Sequence, residues 1–130
     1  MKNKFIVKKT SYGLGLFTQI EFKKGQFIIE YIGEKITFEE GERRGGKYLM
    51  TIDKYFTIDG KTRENLARYI NHSCKPNCVA YTDKGRVKIY AKKKILVGEE
   101  LTYYYGKEYF DQYIAPKGCK CGAHDKNKKA

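Results

Sequence analysis

Hydrophobic positions along this chain fall in short runs parted by glycine, proline, asparagine and charged pairs, with little sustained helical spacing. Phe5-Ile6-Val7-Lys8-Lys9 reads as a short strand. In Ser11-Tyr12-Gly13-Leu14-Gly15-Leu16-Phe17, two glycines alternate with bulky apolar residues, which suggests a bend where backbone approaches something closely. Residues 27–32 form a β-prone run closed by Gly33-Glu34. Residues 37–46 are polar and suit one short helical turn or a loop, ended by Gly45-Gly46. Residues 48–50 and 55–58 read as strands around a turn at Asp53-Lys54, and Asp59-Gly60 signals another turn. Residues 62–68 suit a short helical turn. Residues 79–82 and 86–91, joined by Asp83-Lys84-Gly85, predict a hairpin with glycine in its loop. Val87, Ile89 and Ala91 alternate with charged or polar residues, so one face of that hairpin is wet. Many short strands with frequent turns predict a mostly β domain.

Composition bounds the picture. The 130 residues make one domain, 41% hydrophobic, which is the balance of a folded chain. No apolar run approaches membrane-spanning length, and the start is too charged for a signal peptide. An intracellular protein with reduced thiols is expected. The 27 Lys and Arg against 15 Asp and Glu give a net charge of +12, a field that attracts nucleic acid or acidic protein surfaces. The lysines are spread over the chain, with small clusters at Lys92-Lys93-Lys94 and near the C-terminus.

One stretch concentrates the chemistry: Arg68-Tyr69-Ile70-Asn71-His72-Ser73-Cys74-Lys75-Pro76-Asn77-Cys78. The chain has two histidines and four cysteines, and this stretch holds one of the former and two of the latter. Such a cluster is costly if buried and idle, because each polar atom then needs a partner. A hydrogen-bonded turn is the bland alternative, since Asn, Ser and Pro are ordinary turn residues. The isolated Gly13-Leu14-Gly15 does not lead from a strand into a helix, so it is not a dinucleotide fingerprint.

Taken in order, four segments resemble the SET-domain protein lysine methyltransferases: Gly13-Leu14-Gly15; Glu30-Tyr31-Ile32-Gly33-Glu34; Asn65 through Cys78, with its Asn-His-Ser-Cys-x-Pro-Asn-Cys core; and Gly98-Glu99-Glu100-Leu101-Thr102-Tyr103-Tyr104-Tyr105-Gly106. Tyr55-Phe56-Thr57-Ile58-Asp59 is similar to the segment that precedes the Asn-His motif in that family. The resemblance implies the SET-domain (β-clip) fold: small curved sheets with a C-terminal pseudoknot that brings Asn71-His72 against residues 103–105. A stand-alone SET domain over residues 1–114 is expected, followed by a post-SET-like tail over 115–130.

The implied reaction moves a methyl group from S-adenosylmethionine to a lysine amine, which must be neutral to attack. Desolvation in an apolar channel near a sulfonium lowers the amine pKa, and alignment does the rest. Tyrosines suit such a channel, offering an apolar wall, a π-face and one hydroxyl. The resemblance assigns Tyr105 to catalysis, Tyr31 to the wall of the lysine channel, and Tyr103 to the position where the family carries Phe or Tyr. A hydroxyl at Tyr103 holds water where a methylated amine would turn, so monomethylation is expected. Gly13, Leu14 and Gly15 would let the cofactor approach backbone. Arg68, Asn71 and His72 would meet its charged end and adenine edge, Tyr105 the methyl, and Tyr109 or Phe110 the adenine ring.

Cys119-Lys120-Cys121 resembles the family's post-SET segment, which binds zinc together with the motif cysteine, here Cys74. The family's third tail cysteine would fall near Lys126, which cannot serve. His124 is the nearest replacement, giving a Cys74, Cys119, Cys121 and His124 site of three thiolates and one imidazole. Cys78 is expected to be a small buried hydrophobe.

The expected partner is a lysine-containing protein, a histone first, with nucleic acid contact through the basic surface and no membrane. The resemblance leaves monomer and homodimer both open. The competing class is a non-catalytic SET-like module that binds basic peptides or nucleic acid.

Overall fold

Runs anticipated as strands pair into several small sheets rather than one large one. The structure is a computed structural model that describes residues 4–11, 13–46 and 48–104. β1 (Phe5–Thr10) and β2 (Gly13–Thr18) form an antiparallel pair in continuous register from Phe5 opposite Thr18 to Thr10 opposite Gly13. β3 (Phe27–Tyr31) lies beside β9 (Arg86–Ala91), which also carries β8 (Cys78–Asp83). β4 (Glu34–Thr37), β6 (Phe56–Asp59) and β5 (Leu49–Thr51) make a second three-stranded sheet. β7 (Asn71–His72) pairs in parallel with β10 (Thr102–Tyr103). α1 (Phe38–Arg44) and a 3-10 turn at Leu66–Tyr69 complete the described elements.

The mostly β expectation therefore holds, and the predicted hairpin is β8–β9. Its two-residue loop, Lys84-Gly85, has positive φ at both positions (53° and 80°), the backbone that a right-twisted hairpin favours. Within residues 37–46 the helical alternative holds, as α1, and Thr37 caps it: its hydroxyl accepts from the Glu40 amide at 3.1 Å. Glu39 and Glu40 sit in the first turn and Arg43 and Arg44 in the last, which complements the helix dipole.

One reading is corrected. The Gly13–Gly15 segment is a strand, not a bend, although its glycines are needed for the close approach that was expected. The run over residues 27–32 does close before Glu34, as expected; Glu34 then begins β4, a strand not anticipated, held by pairing with β6 rather than by local propensity.

The core gathers Leu16, Phe22, Ile28, Tyr31, Ile58, Ala67, Ile70, Val87, Ile89, Ile95 and Leu101. Val87, Ile89 and Ala91 are the buried face of β9, as their alternation predicted. Arg44 fastens α1 to the second sheet, bonding Glu34 of β4, Glu40 of its own helix and the buried Asp59 of β6, each ion pair at 2.8–3.0 Å. Among the described residues no helix is long and apolar enough to cross a membrane.

Candidate active site

The two-residue pairing of β7 with β10 sets the site. Asn71 stands opposite Thr102 and His72 opposite Tyr103, so two motifs far apart in sequence lie side by side. The Ser73 amide continues the contact, donating to the Tyr103 carbonyl at 3.1 Å. The expected approach of Asn71-His72 to the tyrosine stretch is present at Tyr103; Tyr105 lies outside the described residues.

Asn77 locks that pairing. It is buried, donates from Nδ2 to the Glu100 carbonyl at 2.8 Å, and accepts at Oδ1 from the Thr102 amide at 2.9 Å. Its own amide reaches the Thr102 hydroxyl at 3.3 Å. One side chain thus fixes the entry to β10.

On the other side, Asn71 ties the pair to β2. Its Nδ2 donates to the Leu14 carbonyl at 3.0 Å and to the Glu100 carboxylate at 2.8 Å. Both partners are acceptors, which fixes the amide orientation and turns Oδ1 the other way as an acceptor. Gly15 sits beneath this knot. A Cβ there would stand 2.6 Å from Glu100 Oε2, 2.8 Å from the Thr10 methyl and 3.2 Å from Asn71 Nδ2. Gly13 has φ of 119°, a left-handed backbone suited to glycine. Gly13, Leu14, Gly15 and Asn71 are therefore one contiguous patch.

His72 is buried. Its ring lies 5.2 Å from that of Tyr104, and Nε2 is 3.3 Å from Cys74 Sγ. Tyr103 is buried as well, 7% exposed.

Tyr31, at the end of β3, is 4% exposed, and its hydroxyl donates to the Tyr48 carbonyl at 2.8 Å. Burial, and then the nearby Asp59 carboxylate, push its phenol well above the ordinary range, so it stays a neutral O–H. The backbone behind it is tightly threaded: a Cβ on Gly60 would meet Asn65 Nδ2 at 2.3 Å and the Tyr31 ring at 2.5 Å. Asn65, fully buried, spans this region by accepting from the Ile32 amide at 3.1 Å and donating to the Gly60 carbonyl at 3.0 Å.

Arg68 turns toward this second group of tyrosines. Its guanidinium lies over the rings of Tyr48 and Tyr69, at 4.9 and 4.6 Å. Its Nη atoms donate to the Lys61 carbonyl and the Tyr69 hydroxyl. Its buried Nε has no partner among the described residues.

Glu100 and Asn77 stand inside the sequence motifs, yet residue type alone assigns them no role. The signal was their spacing within polar motifs; what was missing was the long-range pairing that makes each the other's neighbour. Cys78 is the buried hydrophobe expected, 1% exposed, with burial pushing its thiol up to about 12. Cys74 is half-buried. Phe110, Cys119, Cys121 and His124 lie outside the described residues. Among the described residues no group of three or more His, Cys, Asp or Glu stands ready to hold a metal.

A glycine-lined strand bound to an Asn-His motif, with an aromatic strand alongside, is the arrangement of one class of domain. Residues 13–106 match the SET domain family, and the chain belongs to it. It is 40% identical over 134 residues to the histone-lysine N-methyltransferase trr of Drosophila melanogaster, covering 93% of this chain and 5% of the relative. It is 39% identical over 123 residues to an H3 lysine-4 specific histone-lysine N-methyltransferase of Schizosaccharomyces pombe, covering 85% of this chain and 13% of the relative. The histone-lysine N-methyltransferase ASHH1 of Arabidopsis thaliana is 36% identical over 91% of this chain and 26% of its own length. The chain thus spans between 5% and 26% of these three relatives.

Proposed function

We propose that this protein is an S-adenosylmethionine-dependent protein lysine N-methyltransferase that mainly monomethylates a histone lysine. The observation that carries the reading is the parallel β7–β10 pairing, which sets the Gly13-Asn71 patch beside the strand of Tyr103. The relatives' names support a histone as first substrate, and with it a nuclear, chromatin-associated setting.

When bound, S-adenosylmethionine supplies an electrophilic methyl on a positively charged sulfur. The exposed backbone of Gly13 and Leu14 accommodates its amino-acid part. Asn71, with both amide hydrogens held by Leu14 and Glu100, presents Oδ1 to an ammonium group. This reading also assigns His72 and Phe110 to the cofactor, while Arg68, stacked on Tyr48 and Tyr69, stands with the Tyr31 group. The substrate amine enters neutral along an apolar wall to which Tyr31 contributes its ring. Because Tyr31 stays protonated, it adds no negative charge to hold the amine as ammonium. Tyr105 orients the amine. The amine, so oriented and walled by Tyr31, would lose its proton to water once methylated. The Tyr103 hydroxyl holds water where a methylated amine would otherwise rotate, which limits the product to one methyl.

Cys74, Cys119, Cys121 and His124 would hold a zinc ion that staples the tail to the motif. Thiolates with one imidazole suit that ion. Cys74 Sγ already lies beside an imidazole nitrogen, at 3.3 Å from His72 Nε2, so the thiol is in polar surroundings rather than sealed in the core.

The test is methyl transfer from labelled S-adenosylmethionine to core histones, basic bacterial proteins and whole-cell extract, with Tyr105→Phe beside wild type. A labelled histone band lost in the variant is the expected result. Cofactor binding without transfer to any protein would favour a non-catalytic module, a reading to which the charge of +12 lends support.

A further inference from the structure

The solvent face of the β3–β9–β8 sheet lies outside the proposed site and has a character of its own. Val87, Ile89 and Ala91 send β9 into the core, so Arg86, Lys88 and Tyr90 project to the opposite face. Register sets Phe27 of β3 and Val79 of β8 on either side of Tyr90, with Tyr81 opposite Lys88. Three rings cluster there: Phe27 and Tyr81 pack edge-on to Tyr90 with centroids at 5.7 and 5.9 Å. Phe27 is 48% exposed and Tyr81 58%.

A groove of about 480 Å³ opens beside these rings, lined by Lys24, Gly25, Val79, Tyr81, Tyr90 and Lys92, among others. Lys24 and Lys92 are exposed, and neither joins an ion pair among the described residues. The acidic group in the middle of the face, Glu30, is bound to Arg86 at 2.6 Å, which lowers its pKa and cancels its charge locally. Asp83 sits apart at the hairpin end. The groove is thus aromatic inside and basic at the rim.

We infer that this face binds single-stranded nucleic acid, with bases against Phe27, Tyr81 and Tyr90 and phosphates against Lys24 and Lys92. Unpaired bases present π-faces to exposed rings, and the backbone follows positive charge, so the sheet needs no sequence code. A duplex keeps its bases stacked on one another and meets only the lysines. A basic peptide, the chemistry proposed for the methylation substrate, is repelled by the same rim. The net charge of +12 attracts any polyanion, and the exposed rings select the one with free bases.

Fluorescence anisotropy of the full chain with a labelled oligouridine of about 15 residues tests this, against a duplex of equal length. Binding is expected for the single strand, and the duplex should bind more weakly. Tyr81→Ala should weaken single-strand binding about 5- to 150-fold while leaving the salt slope unchanged. Lys24→Gln with Lys92→Gln should lower the slope of log K against log salt by about 1.4, the value for two phosphate contacts. Phe27→Ala is the second ring variant, and unchanged thermal melting of each protein separates lost binding from lost folding. No binding at about 50 mM salt would overturn the inference. So would binding that both ring variants leave intact, or a duplex bound as tightly, since either means a generic polycation.

Discussion

Replacing Asn77 by alanine removes the side chain that holds β10 in place. The Glu100 carbonyl loses a donor at 2.8 Å and the Thr102 amide loses an acceptor at 2.9 Å, both beside a residue only 6% exposed. Each orphaned buried group costs about 1–3 kcal/mol. Water entering the vacated space recovers part of that, so the expected loss is about 3 kcal/mol. For a chain of this length that corresponds to a fall in Tm of about 10–15 °C. Urea unfolding followed by far-UV circular dichroism gives the free energy directly. Asn77→Asp sharpens the test. At neutral pH its carboxylate turns an acceptor toward the Glu100 carbonyl and buries a charge, so it should be at least as unstable as alanine. In acid the protonated carboxyl regains a donor for that carbonyl and keeps an acceptor for Thr102, so the deficit relative to wild type should shrink. A loss below about 1 kcal/mol for alanine, or an aspartate deficit independent of pH, would refute the reasoning.

Tyr103→Phe should raise di- and trimethylated product, read by mass spectrometry of a peptide substrate; unchanged ratios would remove the water-holding role. Gly15→Ala forces a methyl against Glu100 and Asn71 and should weaken S-adenosylmethionine binding about 5- to 150-fold by calorimetry, in line with an overpacking penalty of about 1–3 kcal/mol. Cys78, with its folded pKa raised to about 12, contributes stability that is complete below the ordinary thiol range. That contribution is lost as pH rises from about 9 toward 12, because the unfolded thiol ionises first. Cys78→Ala should therefore flatten the alkaline fall in stability, and a fall identical to wild type would count against it. Metal analysis of purified protein should find zinc, lost on His124→Ala; none in wild type, with every thiol free, would remove the metal proposal.

Strand content was legible because it rests on local pattern: the alternation of Val87, Ile89 and Ala91 and the Lys84-Gly85 turn are written within a few residues. β4 was not, since Glu34-Lys35-Ile36-Thr37 has weak strand propensity and is held by its partner β6. The same divide runs through the site. Asn71 and His72 could be picked out because polar residue types crowd one stretch. Glu100 could not be given a task, because its partners Asn71 and Asn77 are separated from it by the whole β8–β9 hairpin. Arg68 was legible as a charged member of the motif, but the rings it stacks on include Tyr48, which only folding brings near.

The β7–β10 pairing is two residues long on each side, and residues 73–101 lie between the strands. So short a junction has few local contacts to nucleate it, and the loop it closes carries an entropic cost that must be met before any contact forms. The β8–β9 hairpin inside that loop folds on local information and brings the ends together. The junction is then expected to close last and open first. A cofactor that binds only the closed form adds its own free energy to the closure, about 2.7 kcal/mol at a hundredfold excess over Kd. Proteolysis or hydrogen exchange at residues 71–73 and 101–103 would therefore report occupancy of the site, and slow exchange there in the absence of cofactor would mark the junction as self-sufficient.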